Sequence, residues 1–385
     1  MVSRSIVLLS LVLSASAFAC SAAQGDSESA AQSSEDLTGP GRGATDARTP
    51  ELGADVSIVK TSQISLADGV AQVASANGPV IEAKFELGDD GKLSLSVYPA
   101  KNGTDKDAER NVFQEVSGDP TATPFAGGLE TFSDREHLLR SARDLTLVQL
   151  SAIGVADAID RADGMGQVFW SIPTIKNHHA GYGVYALSPC GKQQYRFVDG
   201  NGGRRSNAWR LDADDDLGAG PGDGATDART PELGDDLTIV STSKISMADA
   251  LAQVEKANGP AIEAKFELGD DGKLSLSIYP TGKGIETDAE RNTFFELAGD
   301  PTAASYAPDK SEFDVPDVEH LTRSARDLTI VQTANVSLRS AVAAVNRRIP
   351  DGFVFWAIPT IRNHTPGYGV YTLGKDGKAH YFFVS

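Results

Sequence analysis

The eleven residues GATDARTPELG at 43–53 return unchanged at 224–234. From Gly43 to Pro99, 45 of the 57 positions are identical 181 residues later. IEAKFELGDDGKLSLS stands at 81–96 and again at 262–277, and FWSIPTIKNHHAGYGVY (169–185) is matched by FWAIPTIRNHTPGYGVY (355–371). A chain that repeats itself this closely must build the same piece twice, so it is read as two copies of one module of about 155 residues.

A finer period lies inside each module. DVSIV (55–59), DLTLV (144–148), DLTIV (236–240) and DLTIV (327–331) recur. Each is read as a short β-branched strand. A helix-like stretch follows each one: ISLADGVAQV (64–73), IGVADAIDRA (153–162), ISMADALAQV (245–254) and VSLRSAVAAV (336–345). Ser65 with Asp68, and Ser246 with Asp249, have the spacing of a capping box with Asp in place of the usual Glu or Gln. Apolar Ile245, Met247, Ala250, Leu251, Val254 and Ala257 approximate helical spacing, and Asn258-Gly259-Pro260 ends the helix. Then Ile262, Ala264, Phe266 and Leu268 alternate with Glu263, Lys265 and Glu267. After Asp270-Asp271-Gly272 the alternation resumes, which predicts a hairpin with one apolar and one wet face. A run at 293–297 adds a third strand.

In the second unit of each module, Phe353-Val354-Phe355-Trp356-Ala357-Ile358 is apolar at every position. A strand of that kind lies in the middle of a sheet, covered on both faces. Helical segments at 134–144 and 317–327 are candidates for the cover. The expected fold is α+β: two duplicated modules, each of two β-α-β-β-β units with helices packed on antiparallel sheet. Module 1 spans 51–199 (units 55–120 and 144–199) and module 2 spans 232–385 (units 236–301 and 327–385). Residues 200–231 are a Gly/Asp-rich linker with Trp209 its one aromatic residue.

Residues 1–19 have one basic residue, Arg4, an apolar stretch from Ile6 to Leu13 and then small residues, the layout of a secretory signal peptide. Cys20 follows Ala17-Phe18-Ala19. Small residues directly before a Cys resemble the lipobox of bacterial lipoproteins, which implies lipidation of Cys20, contact with the bilayer through acyl chains and, with Ser21 next, an outer-membrane address. The alternative is ordinary cleavage and a secreted or periplasmic protein. Residues 20–50, rich in Ser, Ala, Gly and Asp, read as a flexible tether.

The stretch ISMADALAQVEKANGPAIEAKFELGDDGKLSLSIYP (245–280), a helix with an I-S-x-x-D-A start followed by a strand, a Gly turn and more strands, resembles the PepSY domain, and Gly299-Asp300-Pro301 echoes that family's ending. The resemblance implies an extracytoplasmic module that binds or restrains a secreted peptidase or a peptide. No peptidase domain follows in this sequence, so a zymogen propeptide is not the expectation.

Asp plus Glu number 53 against 35 Lys plus Arg, a net charge of −18. That argues against nucleic acid as a partner, which requires a basic face. H-E-x-x-H, P-loop and G-x-S-x-G motifs are absent. Glu136-His137 and Glu319-His320 lack a second His and read as surface pairs on a helix. Cys190 stands in the turn SPCGK. The run Asp212–Asp216 lacks the Gly and terminal Glu of an EF-hand and reads as solvated linker. No cofactor, metal or catalytic residue is expected.

One candidate site remains, found in both modules. Asn177, His178, Tyr182 and Tyr185, with Asn363, His364, Tyr368 and Tyr371, are candidate ligand-binding residues at a strand end, because Tyr offers large rigid area with a polar tip. In the competing reading Asn-His and Gly serve a hairpin turn while the tyrosines pack. The function expected is an exported, membrane-anchored, non-enzymatic binding protein, a peptidase inhibitor or peptide-binding module. The alternatives are an enzyme using His178 and His364 between units, or a purely structural envelope protein.

Overall fold

In a computed structural model, residues 48, 50–52, 55–88, 90–201, 211–213, 233, 237–269, 271–313 and 316–385 are described. Residues 1–19, read as a signal peptide, Cys20, and most of the residues read as tether and linker lie outside them. Module 1 runs α1 (Leu66–Asn77), β1 (Val80–Leu87), β2 (Leu93–Pro99), β3 (Gln114–Gly118), β4 (Gly128–Thr131), α2 (Arg135–Leu150), α3 (Val155–Arg161), β5 (Gln167–Lys176), β6 (His179–Leu187) and β7 (Gln193–Asp199). A further strand, β8 (Leu211–Ala213), precedes module 2. That module repeats the order with α4 (Met247–Asn258), β9 (Ala261–Leu268), β10 (Leu274–Pro280), β11 (Phe295–Gly299), β12 (Asp309–Glu312), α5 (Val318–Thr333), α6 (Leu338–Arg348), β13 (Phe353–Arg362), β14 (Thr365–Leu373) and β15 (Ala379–Val384).

The capping residues behave as their spacing requires. Ser65 accepts from the Asp68 N–H and Ser246 from the Asp249 N–H, both at 3.1 Å. Gly78 and Gly259 follow α1 and α4 at φ 102° and 84°, where a Cβ would be strained.

Each module folds around one antiparallel sheet shared by its two units. The strand order is β4-β3-β2-β1-β5-β6-β7 in the first and β12-β11-β10-β9-β13-β14-β15-β8 in the second. The units meet where β1 pairs β5 (Ala83 opposite Ser171) and β9 pairs β13 (Ala264 opposite Ala357). The apolar strands β5 and β13 are thus central. Ala83 and Phe85 of β1 pack with Leu66, Val70 and Val73 of α1 and Val155 and Ile159 of α3. Glu82, one residue away and on the other face, is tied through Arg48 to Asp144 of α2. Helices α1 and α3 therefore cover one face and α2 the other.

Three expectations are corrected. DLTLV (144–148) and DLTIV (327–331) are not strands but the carboxyl-terminal halves of α2 and α5, while Val56–Thr61 and Leu237–Thr242 are 3-10 helices. No unit therefore begins with a strand. Burial overrides β-propensity here: Leu145, Leu147, Leu328 and Ile330 are fully buried. Each helical threonine is satisfied within the helix, Thr146 donating to the Ala142 carbonyl and Thr329 to that of Ala325, both at 2.7 Å. Second, the supposedly wet face of β1 and β9 is covered: Glu82, Lys84, Glu263 and Lys265 are all less than a tenth exposed. Third, the stretch read as linker contributes β8, which pairs β15.

The modules also share a core. Helices α2 and α5 pack on each other. Ile81, Phe113, Phe132, Leu138 and Leu139 of module 1 belong to one apolar cluster with the core of module 2. Leu147, Leu150, Ile175 and Ala180 form a second cluster with Ile330 and Ile361. Each fully buried large apolar side chain there contributes about 1.5–3 kcal/mol relative to exposure.

Candidate functional site: hairpin tips, buried charges and sheet edges

Asn177 and His178 are the two-residue loop between β5 and β6, at φ 52° and 65°; Asn363 and His364 join β13 to β14 at φ 50° and 61°. Positive φ at both positions is the signature of the hairpin turn that matches strand twist, and Asn tolerates it better than most residues. The tip reaches across to the other module. Nδ1 of His178 donates to the Gln332 carbonyl of α5, and Nδ1 of His364 donates to the Gln149 carbonyl of α2, each at 2.9 Å. These imidazoles tie the modules together.

The candidate tyrosines lie inside. Tyr182 and Tyr368 have no exposure, and Tyr185 and Tyr371 have 2%. Tyr182 Oη donates to the Ile153 carbonyl at 3.0 Å. Tyr185 stacks on Trp170 with centroids 5.1 Å apart and meets Tyr195 edge-on at 5.0 Å; Tyr371 does the same with Trp356 and Tyr381 at the same distances. Burial pushes the Tyr182 and Tyr368 hydroxyls far above the ordinary phenol range. The eight residues therefore do not form one surface: four are turn residues on the seam and four are core. Tyrosine at a strand end carries no sequence signal that separates these roles; the glycines between them do. A Cβ at Gly183 would meet the Tyr195 ring at 3.0 Å, and one at Gly369 would meet Tyr381 at 2.8 Å.

Sequence reasoning missed the buried charges. In module 1, Arg48 bonds Glu82 at 3.1 Å and Asp144 at 2.9 Å, and the Trp170 indole N–H donates to Glu82 at 2.8 Å. Trp356 donates to Glu263 in the same way. Burial lifts the Glu82 carboxyl to about 7, with the pull of Arg48 opposing it and the Asp144 charge adding to it. Lys84, between Glu51 and Glu86, is held above the usual ammonium range by its acidic neighbours despite burial.

A second set crosses the seam and is reciprocal. Arg140 pairs with Glu290 at 3.2 Å and Arg323 with Glu109 at 3.7 Å; Arg135 donates to the Glu290 and Asn292 carbonyls. Arg326, 1% exposed, pairs with Asp327 at 2.6 Å and with Asp107 of the other module at 3.7 Å. Surface pairs, by contrast, stay local: His137 bonds Asp134 and stacks on Phe132, and His320 does the same with Asp317 and Phe313.

Among the described residues, no three His, Cys, Asp or Glu side chains gather as a metal-binding group. No single helix there is long and apolar enough to cross a membrane. Cys190 is disulfide-bonded. The remaining feature open to a partner is the sheet rim. Strands β4 and β12 are exposed at every residue, and Leu129 on β4 is 53% exposed, the most of any large apolar side chain described. The equivalent β12 carries Asp309, Lys310, Ser311 and Glu312, and charges of this kind blunt an edge against pairing.

No family model matches the chain, and neither a curated protein nor a solved structure matches it.

Proposed function

We propose that this is an exported, non-enzymatic binding protein that takes an extended peptide segment, such as an exposed stretch of a secreted peptidase, by strand addition. The observation that carries the reading is β4. It is an outer strand whose free side offers a row of backbone donors and acceptors, with Leu129 as an apolar anchor where β12 has Lys310, and with the one charge Glu130 against Asp309, Lys310 and Glu312 on β12. The signal-peptide layout and the PepSY resemblance of 245–280 support the same reading. The net charge of −18 favours encounter with a basic segment, an advantage that fades as salt rises.

Lipidation of Cys20 would make its sulfur a thioether, whereas ordinary cleavage leaves it unacylated. Intact mass of the mature chain separates the two states: added acyl mass supports the lipoprotein, and an unmodified amino terminus supports a secreted or periplasmic protein.

The function is tested by capture from the extracytoplasmic fraction of the source cells, followed by peptidase assays. Leu129→Lys should abolish capture while leaving the melting temperature unchanged. Capture that survives this substitution sinks the β4 reading. Turnover of a substrate by the purified protein, lost in His178→Ala or His364→Ala, favours the enzyme alternative.

A further inference from the structure

The charged groups that cross the seam are the same in both modules. DAERN stands at 107–111 and again at 288–292, and RSARDLT at 140–146 and again at 323–329. Arg140 and Arg323 therefore meet equivalent carboxylates, Glu290 in one direction and Glu109 in the other. Arg326 pairs with Asp107; their counterparts are Arg143 and Asp288. His178 and His364 reach equivalent carbonyls, those of Gln332 and Gln149. In the apolar cluster, Leu147 stands where module 2 has Ile330, a swap that keeps side-chain volume, and Ile175 stands where it has Ile361. Each module thus offers the same surface that it receives, which is the condition for a twofold contact between identical copies.

We infer that the seam face is a self-recognition surface whose other partner is a second copy of this chain, with module 1 seated on module 1 and module 2 on module 2. In the first pair Arg140 meets Glu109 of the second copy, Arg143 meets its Asp107, and His178 meets its Gln149 carbonyl. In the second pair Arg323 meets Glu290 and His364 meets the Gln332 carbonyl. Each of these charges faces the sign that it faces within one chain. Two positions are not shared. Arg135 donates to the Glu290 and Asn292 carbonyls, and its counterpart is Val318. Leu150 belongs to the seam cluster, and its counterpart is Thr333. The exchange gathers both arginines and both leucines in the module 1 pair, which is therefore the tighter of the two. Over two chains the named bonds are conserved. Within one chain the face is already filled, so the exchange competes with the closed form and loses to it in dilute solution, where the linker keeps the two modules together. The inference does not rest on the peptide-binding reading, since β4 is exposed at every residue while the seam is buried.

The test uses the full chain carrying a protease site within 214–232. After cutting, the protein is unfolded in denaturant, refolded by dilution and weighed by native mass spectrometry. Pairs of two amino-terminal halves should appear beside the mixed pair, at about a quarter of all pairs if the seam energies add. Mixed pairs alone overturn the inference. Arg140→Glu combined with Glu290→Arg supplies the control. It keeps opposite charges across the mixed seam, but in a like pair it sets two carboxylates together in module 1 and two guanidinium groups together in module 2. Like pairs should fall about tenfold or more while the mixed pair remains. Like pairs that persist undiminished overturn the inference. A second measurement needs no refolding. The uncut chain, concentrated to about 1 mM, the range of effective concentration that a linker sets, should form a dimer by light scattering, and the double variant should not. A chain that stays monomeric there, or a dimer that survives both substitutions, overturns the inference.

Discussion

Nδ1 of His178 lies 2.9 Å from the Gln332 carbonyl oxygen, and the equivalent His364 repeats the bond to Gln149. A hairpin tip of each module grips the last turn of the other module's central helix. Together with Arg140–Glu290 and Arg323–Glu109, these bonds make the modules one folding unit rather than two beads on a linker. A protease site placed within 214–232 should therefore be cut without separating the halves. The cut protein should elute at the mass of the intact chain and melt in one transition. Two fragments of half the mass in native buffer would count against a shared core.

The seam cluster gives a quantitative version. Leu147 and Ile330 have no exposure and face each other's helices. Leu147→Ala or Ile330→Ala should each cost about 2–5 kcal/mol in chemical unfolding. A loss below about 1 kcal/mol would mean that the seam relaxes around the cavity.

The buried arginine should be less forgiving. Arg326→Ala removes a fully buried cation from beside Asp327 and Asp107. About 3–5 kcal/mol of stability should go with it, read as a fall in melting temperature.

Glu82 gives a pH dependence of defined sign. Its carboxyl moves from 4.5 in the unfolded chain to about 7 in the folded one, so the folded chain holds the proton more tightly. The stability this adds is fully present below about pH 4.5 and is lost as pH rises through about 7. Asp144 still holds Arg48 when Glu82 is changed. Wild type should therefore lose stability relative to Glu82→Gln across that window, measured by denaturant unfolding at a series of pH values. A difference that stays constant with pH would contradict the assignment.

Tyr182 separates packing from recognition. Tyr182→Phe removes only the bond to the Ile153 carbonyl and should cost about 1 kcal/mol. Tyr182→Ala opens a cavity in the sheet core and should cost about 3–5 kcal/mol. Both are followed by thermal unfolding.

The parts of the fold legible in the sequence are those set by near neighbours. Ser65 and Ser246 cap their helices as their spacing to Asp68 and Asp249 requires. The unbroken apolar run of β13 announced a strand covered on both faces. What escaped depends on distant partners. Alternation of Glu263 and Lys265 with Ile262 and Ala264 reads as half-wet strand, and only the helix lying over that face converts it to a buried one. DLTIV carries the same five letters at 236–240 and 327–331, yet residues 237–240 lie in a 3-10 helix while the second copy lies in α5. Position in the fold, not composition, separates them. At the candidate site, Asn363-His364 could be recognised as a turn because two residues separate two apolar strands. The carbonyl that His364 reaches lies 215 residues away in the chain, and local pattern holds no trace of it.

The reciprocity of the seam has a consequence for behaviour on dilution. Surfaces that exchange the same bonds in both directions are those that join two identical subunits, and such a pairing ordinarily weakens as protein becomes scarce. Here residues 200–231 join the halves covalently, so each meets its partner at an effective concentration set by the linker. The folded fraction of this protein is thereby independent of how much of it is present.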